Sequence, residues 1–427
     1  MIMKKYLLAT LCCLLTLGAS AQKYVGGDIS MLKKFIDEGA VYKDKDGNTV
    51  EPYAFMKAQG WNSMRVRLFV DPTKATDNEK KEGVIQDLEY VKALGKAIKD
   101  AGFSFMLDFH YSDTWTDPGK HATPSAWSSM TVAQLTQQMY DYTKSCLEEL
   151  VSAGATPDFI QVGNEITTGL LWNTGKVNSD GTDTSTGSMK NLAGYLASGI
   201  SAINDVFKNA GSKPKIIIHT ELHYSEVLPN FYANLAKYPD VKYDIIGLSY
   251  YPDYHGTLTA LNSLLNTFET TYPDQQIMIV ETGYGFEWSL PEPKTQYKNQ
   301  YPISEEGQRT FAQKLVEMLN KHDKVTGLYW WYPEYTLNNI VFKNGNEDWS
   351  KNFTSGYWNA ALFHYKTGKA LAALYELKNF NTSSGVNAIK AYSKADEAWY
   401  TLDGRKLTGT PTVKGIYIHQ GKKAVLR

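Results

Sequence analysis

The sequence between positions 159 and 165 reads Phe159-Ile160-Gln161-Val162-Gly163-Asn164-Glu165. A mostly apolar run of this length predicts a strand buried on both faces of a parallel sheet, and the amide and carboxylate that follow fall at its carboxyl end. Further runs share the pattern, and longer stretches compatible with helices lie between them. With Phe159–Gly163, the predicted strands are Tyr24–Ile29, Ser63–Phe69, Phe103–Phe109, Lys215–Thr220, Ile245–Tyr250, Ile277–Glu281 and Gly327–Trp331.

Eight strands that alternate with helices predict an α/β fold, the (β/α)8 TIM barrel. The alternative is a doubly wound open sheet. No G-x-G-x-x-G follows a predicted strand, however, and Gly283-Tyr284-Gly285 lacks the third glycine. The predicted helices are Val84–Ala101, Val132–Ala153, Leu192–Ala210, Leu258–Tyr272 and Glu305–His322, the last with Ser304 as its N-cap.

The amino terminus differs from this pattern. Lys4 and Lys5 precede the apolar run Tyr6–Gly18, and small residues follow at 19–21, so residues 1–21 are predicted to be a secretory signal peptide. Removing it leaves Cys146 as the one cysteine, so no internal disulfide is expected. No later run reaches about 18 apolar residues, and no transmembrane span is expected.

The carboxyl terminus forms a second region. We predict a catalytic barrel over residues 22–380, and a linker with a small β-hairpin module over 381–427. This tail resembles the short C-terminal β-modules of exported Bacteroidetes proteins. We therefore expect export in a Gram-negative bacterium, to the periplasm, the cell surface or the medium. The predicted hairpin strands are Ala398–Leu402, Gly415–His419 and Lys422–Leu426.

Charge and aromatic content limit the class of ligand. Lys and Arg number 44 against 45 Asp and Glu, which gives a net charge of −1 and argues against a nucleic-acid partner. Aromatic residues make up 13% of the chain, and 29 of them are tyrosine. Such rings fill cores, but they also stack against uncharged ligands in a groove.

Two carboxylates stand out among the polar residues at the strand ends. Glu165 follows the fourth predicted strand and Glu281 ends the seventh, so they face each other across a barrel of eight strands. Glycoside hydrolysis uses one carboxyl that is protonated and one that is charged, and retention of configuration requires them about 5–5.5 Å apart. The alternative is a pair of structural carboxylates bound to Arg65 or Arg67.

Longer sequence motifs narrow the prediction. In chain order they are Gly27–Leu32, Arg65–Pro72, Leu107–Lys120 (LDFHYSDTWTDPGK), Val162–Glu165, Asp244–Pro252 and Val280–Thr282. Over residues 24–375 the chain closely resembles glycoside hydrolase family 53, the endo-β-1,4-galactanases. The resemblance implies a retaining enzyme that cleaves galactan side chains of pectin (type I arabinogalactan) inside the polymer and requires no cofactor. We expect a monomer that binds neutral polysaccharide and galacto-oligosaccharides.

The resemblance also implies roles for single residues. Glu165 matches the general acid/base, Asn164 the residue that holds the sugar 2-hydroxyl, and Glu281 the nucleophile. Tyr250 and an arginine of the second strand are expected to hydrogen-bond Glu281. Arg65 and Arg67 share a face by alternation, and Arg67 is favoured because it is nearer the catalytic end. Further candidates for binding sugar hydroxyls or ring faces are Asp28, His110, Asp113, Trp115, Asp117, Tyr251 and Trp331, followed by Trp172, His223 and Trp330.

Metal sites and other functions stay open at this stage. His110 and His121 lack a third ligand at metal spacing, so no metal is predicted there. Some bacterial relatives carry calcium between the loops after strands seven and eight, where this chain has Gly285–Tyr301 and an Asn-rich segment at 338–348. The alternative functions are another endo-β-1,4-glycanase, such as a mannanase, and a non-catalytic glycan-binding barrel.

Overall fold

The computed structural model describes residues 22–222, 225–287, 300–336, 338, 357–381, 399–401, 406–407, 409–419 and 422–426. The chain forms two compact units, which divide between Thr382 and Ser383. In the first unit, eight parallel strands close into a barrel, so the predicted TIM barrel is confirmed. We number the barrel strands in chain order: β1 Tyr24–Asp28, β2 Ser63–Leu68, β3 Ser104–Phe109, β4 Phe159–Val162, β5 Lys215–Glu221, β6 Ile245–Tyr250, β7 Gln276–Thr282 and β8 Val325–Trp331.

Helices surround the barrel, and their ends follow capping side chains. The helix Leu88–Asp100 begins four residues after its predicted start because the carboxylate of Asp87 accepts the N–H of Tyr90. The predicted cap at Ser304 is confirmed, since its hydroxyl accepts the N–H of Gly307 at 3.0 Å. The helices are Leu32–Asp37, Pro52–Ala58, Asp77–Lys81, Leu88–Asp100, Val132–Ser152, Met189–Val206, Leu228–Leu235, Pro252–His255, Leu258–Thr271, Glu305–Leu319 and Ala372–Glu376, and a two-stranded ribbon pairs Tyr42–Lys43 with Thr49–Val50.

The barrel interior changes from apolar to polar along the strand direction. Alternating positions place Met106 below Asp108 on β3, and Ile217 below His219 on β5. The lower, apolar layer contains Met106, Phe159, Ile217, Ile245, Met278, Val280 and Tyr329. The upper layer is buried as well, yet it carries charged and polar groups, which must bond to one another to offset the loss of water.

Strand β7 contains one extra residue just before its end. Against β6, Ile279 pairs with Leu248 and Glu281 with Ser249, so Val280 is a bulge on β7. Strict alternation from Met278 would turn Glu281 outward, toward the helices. The bulge resets the alternation, and the carboxylate of Glu281 enters the barrel interior, where it meets Arg65.

The second unit contains a three-stranded antiparallel sheet. Gly415–His419 is its central strand, with Trp399–Thr401 on one side and Lys422–Leu426 on the other. The three strands predicted for the hairpin module are thus confirmed. The predicted signal peptide lies outside the described residues, and none of the described helices combines the length and apolar character that crossing a membrane requires.

Candidate active site

A cavity opens at the carboxyl ends of the barrel strands. Most of the predicted site residues line it, because the strand ends and the loops after them converge there. Its lining residues are Arg65, Arg67, Glu82, His110, Trp115, Thr116, Asp117, Lys120, Asn164, Glu165, Tyr251, Tyr254, Glu281 and Trp331.

Arg65 is the electrostatic centre of the cavity floor. Its side chain is 1% exposed, and Nη2 lies 2.9 Å from Oε1 of Glu281. The same guanidinium donates to Asp28 at 2.7 Å and to Asp108 at 2.8 Å, both fully buried. A guanidinium can serve several acceptors at once because its donors form a rigid planar fork. Arg65 therefore fixes the position of Glu281 and neutralises part of its charge.

The predicted preference for Arg67 over Arg65 as the partner of Glu281 is wrong. Both arginines point into the barrel, as alternation predicts, and both bond to Asp28. Arg65 starts one layer deeper, and its long side chain extends to Glu281. The guanidinium of Arg67 lies higher, 4.6 Å from the ring centre of Trp115. Arg67 therefore holds an aromatic wall of the cavity by a cation–π contact.

The predicted hydrogen bond from Tyr250 to Glu281 is also wrong. The hydroxyl of Tyr251 donates to Oε2 of Glu281 at 2.9 Å. Tyr250 is fully buried, and its hydroxyl donates its single proton to the carbonyl of Gly256 at 2.8 Å. Tyr250 therefore supports the loop after β6, and it does not line the cavity.

Asn164 is held so that part of its amide faces the cavity. Its oxygen accepts from Nη2 of Arg65 at 2.9 Å, and its nitrogen donates to the carbonyl of Thr116 at 2.8 Å. An amide nitrogen has two hydrogens, so one remains for a ligand hydroxyl among the contacts described. This arrangement suits the predicted role of Asn164.

Asp28 and Asp113 are not among the residues that line the cavity, and their roles in sugar binding stay predictions. Asp28 joins Arg65 and Arg67 beneath the floor. Asp113 accepts from the N–H and the hydroxyl of Ser125, and so fastens a loop. Both carboxylates bond to other groups of the protein, and these bonds fix the arginines and the loop.

Trp330 and Trp172 are also absent from the cavity lining. Trp330 is fully buried and donates to the carbonyl of Ala360. Trp172 carries the ammonium of Lys176 at 3.8 Å from its ring centre, so that face is covered. His223 lies outside the described residues.

The two glutamates differ in their preference for a proton. Burial raises the pKa of Glu165 well above its usual range, and the negative charges of Glu281 and Glu221 raise it further. Burial also raises the pKa of Glu281, but the guanidinium of Arg65 opposes this shift. The proton that the pair shares therefore resides on Glu165, and Glu281 is the ionised partner.

Comparison with known proteins agrees with this geometry. The sequence profile described as "Glycosyl hydrolase family 53" matches residues 24–377. The chain belongs to glycosyl hydrolase family 53. It is 33% identical over 331 residues to the arabinogalactan endo-β-1,4-galactanase A of Aspergillus niger, covering 75% of this chain and 88% of the relative.

Two solved structures resemble this family 53 chain. The Ignisphaera aggregans GH53 catalytic domain gives a TM-score of 0.70 at 28% identity, covering 85% of this chain and 97% of that one. A structure from work on two fungal β-1,4-galactanases gives a TM-score of 0.69 at 30% identity, covering 84% and 99%. The match spans the barrel, in keeping with the unit that ends at Thr382.

Sequence reasoning missed several residues of the family 53 cavity. Thr116 and Lys120 belong to the quoted motif after β3, and the motif itself was the signal that could have found them. Tyr254 follows β6 by four residues, and its aromatic ring in a loop at the catalytic end was a usable signal. Glu82 carries no such signal, because it follows the short helix Asp77–Lys81.

The next question is whether the described part of this family 53 chain contains a cluster of metal ligands. Among those residues, no group of three or more His, Cys, Asp or Glu could hold a metal ion. Most of the two loops considered for calcium, residues 288–299 and 339–356, lies outside the described residues. Calcium binding between these loops therefore stays a possibility raised by the sequence alone.

A buried carboxyl beside the cavity predicts a pH-dependent stability. Burial, with the charge of Asp28, raises the pKa of Glu334 to about 8. The folded state thus holds a proton that the unfolded chain releases near pH 4, and stability falls as the pH rises through about 8. We expect Glu334→Gln, which keeps the acceptor for the N–H of Met31, to lose less stability than the wild type between pH 5 and pH 9. Thermal unfolding at both pH values measures this, and a difference independent of pH would contradict it.

Proposed function

We propose that this chain is a retaining endo-β-1,4-galactanase that cleaves inside galactan, with Glu165 as general acid/base and Glu281 as nucleophile. The observation that carries the proposal is the unequal pair at the cavity. Arg65 and Tyr251 hold Glu281 ionised, whereas burial and neighbouring negative charge keep Glu165 protonated. The names of the relatives from Aspergillus niger and other fungi support galactan as the substrate.

The first chemical step forms a covalent intermediate. A carboxylate oxygen of Glu281 attacks the anomeric carbon while the carboxyl proton of Glu165 passes to the leaving glycosidic oxygen. The carbon–oxygen bond to the leaving sugar breaks with its electron pair, and the shortened chain departs with a new hydroxyl. Arg65 keeps Glu281 in position through a charge-assisted hydrogen bond.

The second step restores the enzyme. Glu165, now ionised, takes a proton from a water molecule, which attacks the anomeric carbon and displaces the carboxylate of Glu281. Two displacements return the original β configuration. Both steps use groups that the protein supplies, and we propose that no cofactor is required.

The walls of the cavity suit a neutral sugar. Trp115 and Trp331 present rings, Asn164 presents an amide hydrogen, and the charge of Arg65 and Arg67 is met by buried carboxylates. The predicted export signal and galactan specificity together suggest an enzyme that acts outside the cytoplasm on the galactan of plant pectin.

The decisive test compares polymers and products. Galactan, mannan and xylan are incubated separately with the protein, and products are separated by size while the anomeric protons are followed by NMR. We expect galacto-oligosaccharides from galactan alone, with the β anomer formed first. Equal or faster cleavage of mannan would favour the alternative glycanase, and single galactose units from chain ends would contradict endo action. No hydrolysis of any glycan would favour the non-catalytic barrel.

The acid role of Glu165 gives a prediction that depends on the leaving group. We expect Glu165→Ala to lose about 10²- to 10⁴-fold in kcat on galactan, the usual contribution of a general acid. With a dinitrophenyl galactoside, whose leaving group needs no proton, the first step should stay fast and release a burst of dinitrophenolate. Stopped-flow absorbance measures the burst.

The exposed Glu317, substituted as Glu317→Ala, is the matched control and should behave as the wild type. An equal loss with galactan and with the activated substrate would contradict the assignment of Glu165.

A further inference from the structure

Glu165 is held by its backbone in an unfavourable conformation. Its φ and ψ are both 47°, in the left-handed region that residues other than glycine avoid. Its N–H donates to Nδ1 of His219 at 3.3 Å, and its carbonyl accepts from Nε2 of His121 at 3.2 Å. Two buried imidazoles thus hold the peptide groups on either side of the catalytic side chain.

The contact to His219 determines which nitrogen of that ring carries the proton. Because Nδ1 accepts from Glu165, the proton of the neutral ring is on Nε2. Nε2 lies 2.8 Å from Oγ of Ser249 and donates to it. His219 is fully buried, and burial together with the charge of Arg65 lowers its pKa well below the ordinary value, so the ring stays neutral.

Ser249 is the next residue in this series of hydrogen bonds, after Glu165 and His219. Its oxygen accepts from His219, so its own hydroxyl proton is directed elsewhere. Ser249 lowers the pKa of the carboxyl of Glu165, as a hydrogen-bond donor beside that carboxyl does. In the sheet Ser249 pairs with Glu221 on β5 and with Glu281 on β7, so it lies on the strand next to that of Glu281 and two strands from β4, which Glu165 follows. The chemistry already described for Glu165 and Glu281 leaves this serine and this histidine without a role.

We propose that His219 and Ser249 are positioning residues for the general acid/base. In this proposal the observed bonds from the N–H of Glu165 to His219 and from His219 to Ser249 are completed by a bond from the hydroxyl of Ser249 to the carboxyl of Glu165, which closes a ring. The proposal deepens the proposed function and rests on it for the role of Glu165. The ring couples the backbone conformation of Glu165 to the direction of its own carboxyl. It also stabilises the ionised form that the second chemical step requires.

Other charges act on the same groups, and they persist when the ring is broken. Glu281, Glu221 and Asp117 face the carboxyl of Glu165 and favour its protonated form. Arg65, Asp108, His110 and His121 face the imidazole of His219. A variant that removes only the hydroxyl of Ser249 leaves all these charges in place. A change in the pKa of Glu165 in that variant is therefore due to the loss of the hydroxyl.

The experiment uses four variants that separate the halves of the ring. Ser249→Ala removes the donor to Glu165. His219→Asn keeps an acceptor near the position of Nδ1 and loses the donor to Ser249, whereas His219→Gln keeps a donor near Nε2 and loses the acceptor. Ser249→Thr retains the hydroxyl and is the conservative rescue. The readouts are the pH profile of kcat/KM on galactan, with kcat and KM measured separately, and thermal unfolding as the check of folding.

We expect Ser249→Ala to move the alkaline limb of the profile to higher pH, because losing a donor to the carboxylate raises the pKa of Glu165. We expect His219→Asn to move it in the same direction, because Ser249 then lacks the bond that directs its own proton to that carboxylate. In both we expect kcat to fall about 10- to 100-fold with little change in KM, the size of one hydrogen bond to a charged group. His219→Gln and Ser249→Thr should keep the limb near its wild-type position. An unmoved limb in Ser249→Ala and His219→Asn, or the same loss in His219→Asn and His219→Gln, would overturn the proposal.

Two NMR measurements test the ring of hydrogen bonds even if galactan is not the substrate, or if one of the four variants does not fold. In the wild-type protein, nitrogen NMR of the histidines should show the Nε2-protonated form of His219 across neutral pH, and the Nδ1-protonated form would overturn the ring. Carbon NMR of the glutamate carboxyls, assigned with Glu165→Gln, gives the pKa of Glu165 without any substrate. A failure of galactan hydrolysis with an intact ring would count against the proposed function alone.

Discussion

Replacing Glu281 with alanine is expected to lower kcat on galactan by about 10⁴-fold or more, while the protein stays folded. Removing a covalent nucleophile from a catalytic unit has an effect of this size, because the remaining groups cannot form the intermediate. The side chain is 9% exposed at the cavity floor, so truncation opens space beside Arg65 and Tyr251 and leaves the apolar core unchanged. Initial rates on galactan and circular dichroism measure the two parts of the expectation.

Rescue by a small anion makes the result specific. Azide or formate can enter the space that Glu281→Ala leaves and attack the anomeric carbon of an activated galactoside in place of the carboxylate. We expect turnover to rise with azide and to yield the α-galactosyl azide. The surface variant Glu317→Ala should show neither the loss nor the rescue. Wild-type activity in Glu281→Ala would refute the mechanism.

Replacing Arg65 with methionine is expected to lower the free energy of unfolding by about 3–5 kcal/mol, the range found when one partner of a buried ion pair is removed. Methionine fills much of the volume but leaves Asp28, Asp108 and Glu281 without their shared cation. Although burial raises it, the charge of Arg65, followed by that of His110, brings the pKa of Asp108 to about 2. Losing Arg65 should therefore raise that pKa, and urea unfolding at pH 7 measures the loss of stability.

Arg309→Met is the matched control for this substitution. Arg309 also pairs with two carboxylates, Glu306 and Glu376, but its side chain is 29% exposed. Solvent screens such pairs, so the free energy of unfolding should change by less than about 1 kcal/mol. Equal losses in the two variants would contradict a special role for the buried cluster. The Arg65→Met variant should also need a higher pH to ionise Glu281, which would move the acid limb of its pH profile upward.

The barrel was predictable because its strands are buried on both faces. Short continuous apolar runs that alternate with longer helical stretches are typical of such strands, and each observed strand end lies within two residues of its predicted position. The catalytic glutamates were predictable for a related reason. A carboxylate directly after a buried strand has to face the open end of the barrel or be neutralised.

The partners of Glu281 were not predictable from the pattern. Arg65 and Arg67 share a face, so the choice between them depends on side-chain length and depth in the barrel, which alternation does not encode. Tyr250 and Tyr251 are neighbours at the strand end, where the backbone leaves the sheet. There the regular two-residue period stops, and the loop geometry determines which hydroxyl enters the cavity.

The bulge at Val280 makes the number of residues in β7 as important as their identity. An apolar replacement at position 280 keeps Glu281 inside the barrel, because the residue count before it is unchanged. Gain of a single residue between Met278 and Glu281 would let strict alternation continue to the end of the strand, and the carboxylate would then face inward two positions beyond Ser249, away from the place where it meets Arg65. This short segment should therefore tolerate changes of apolar side chain over generations but reject insertions, even those that leave every other contact of the barrel possible.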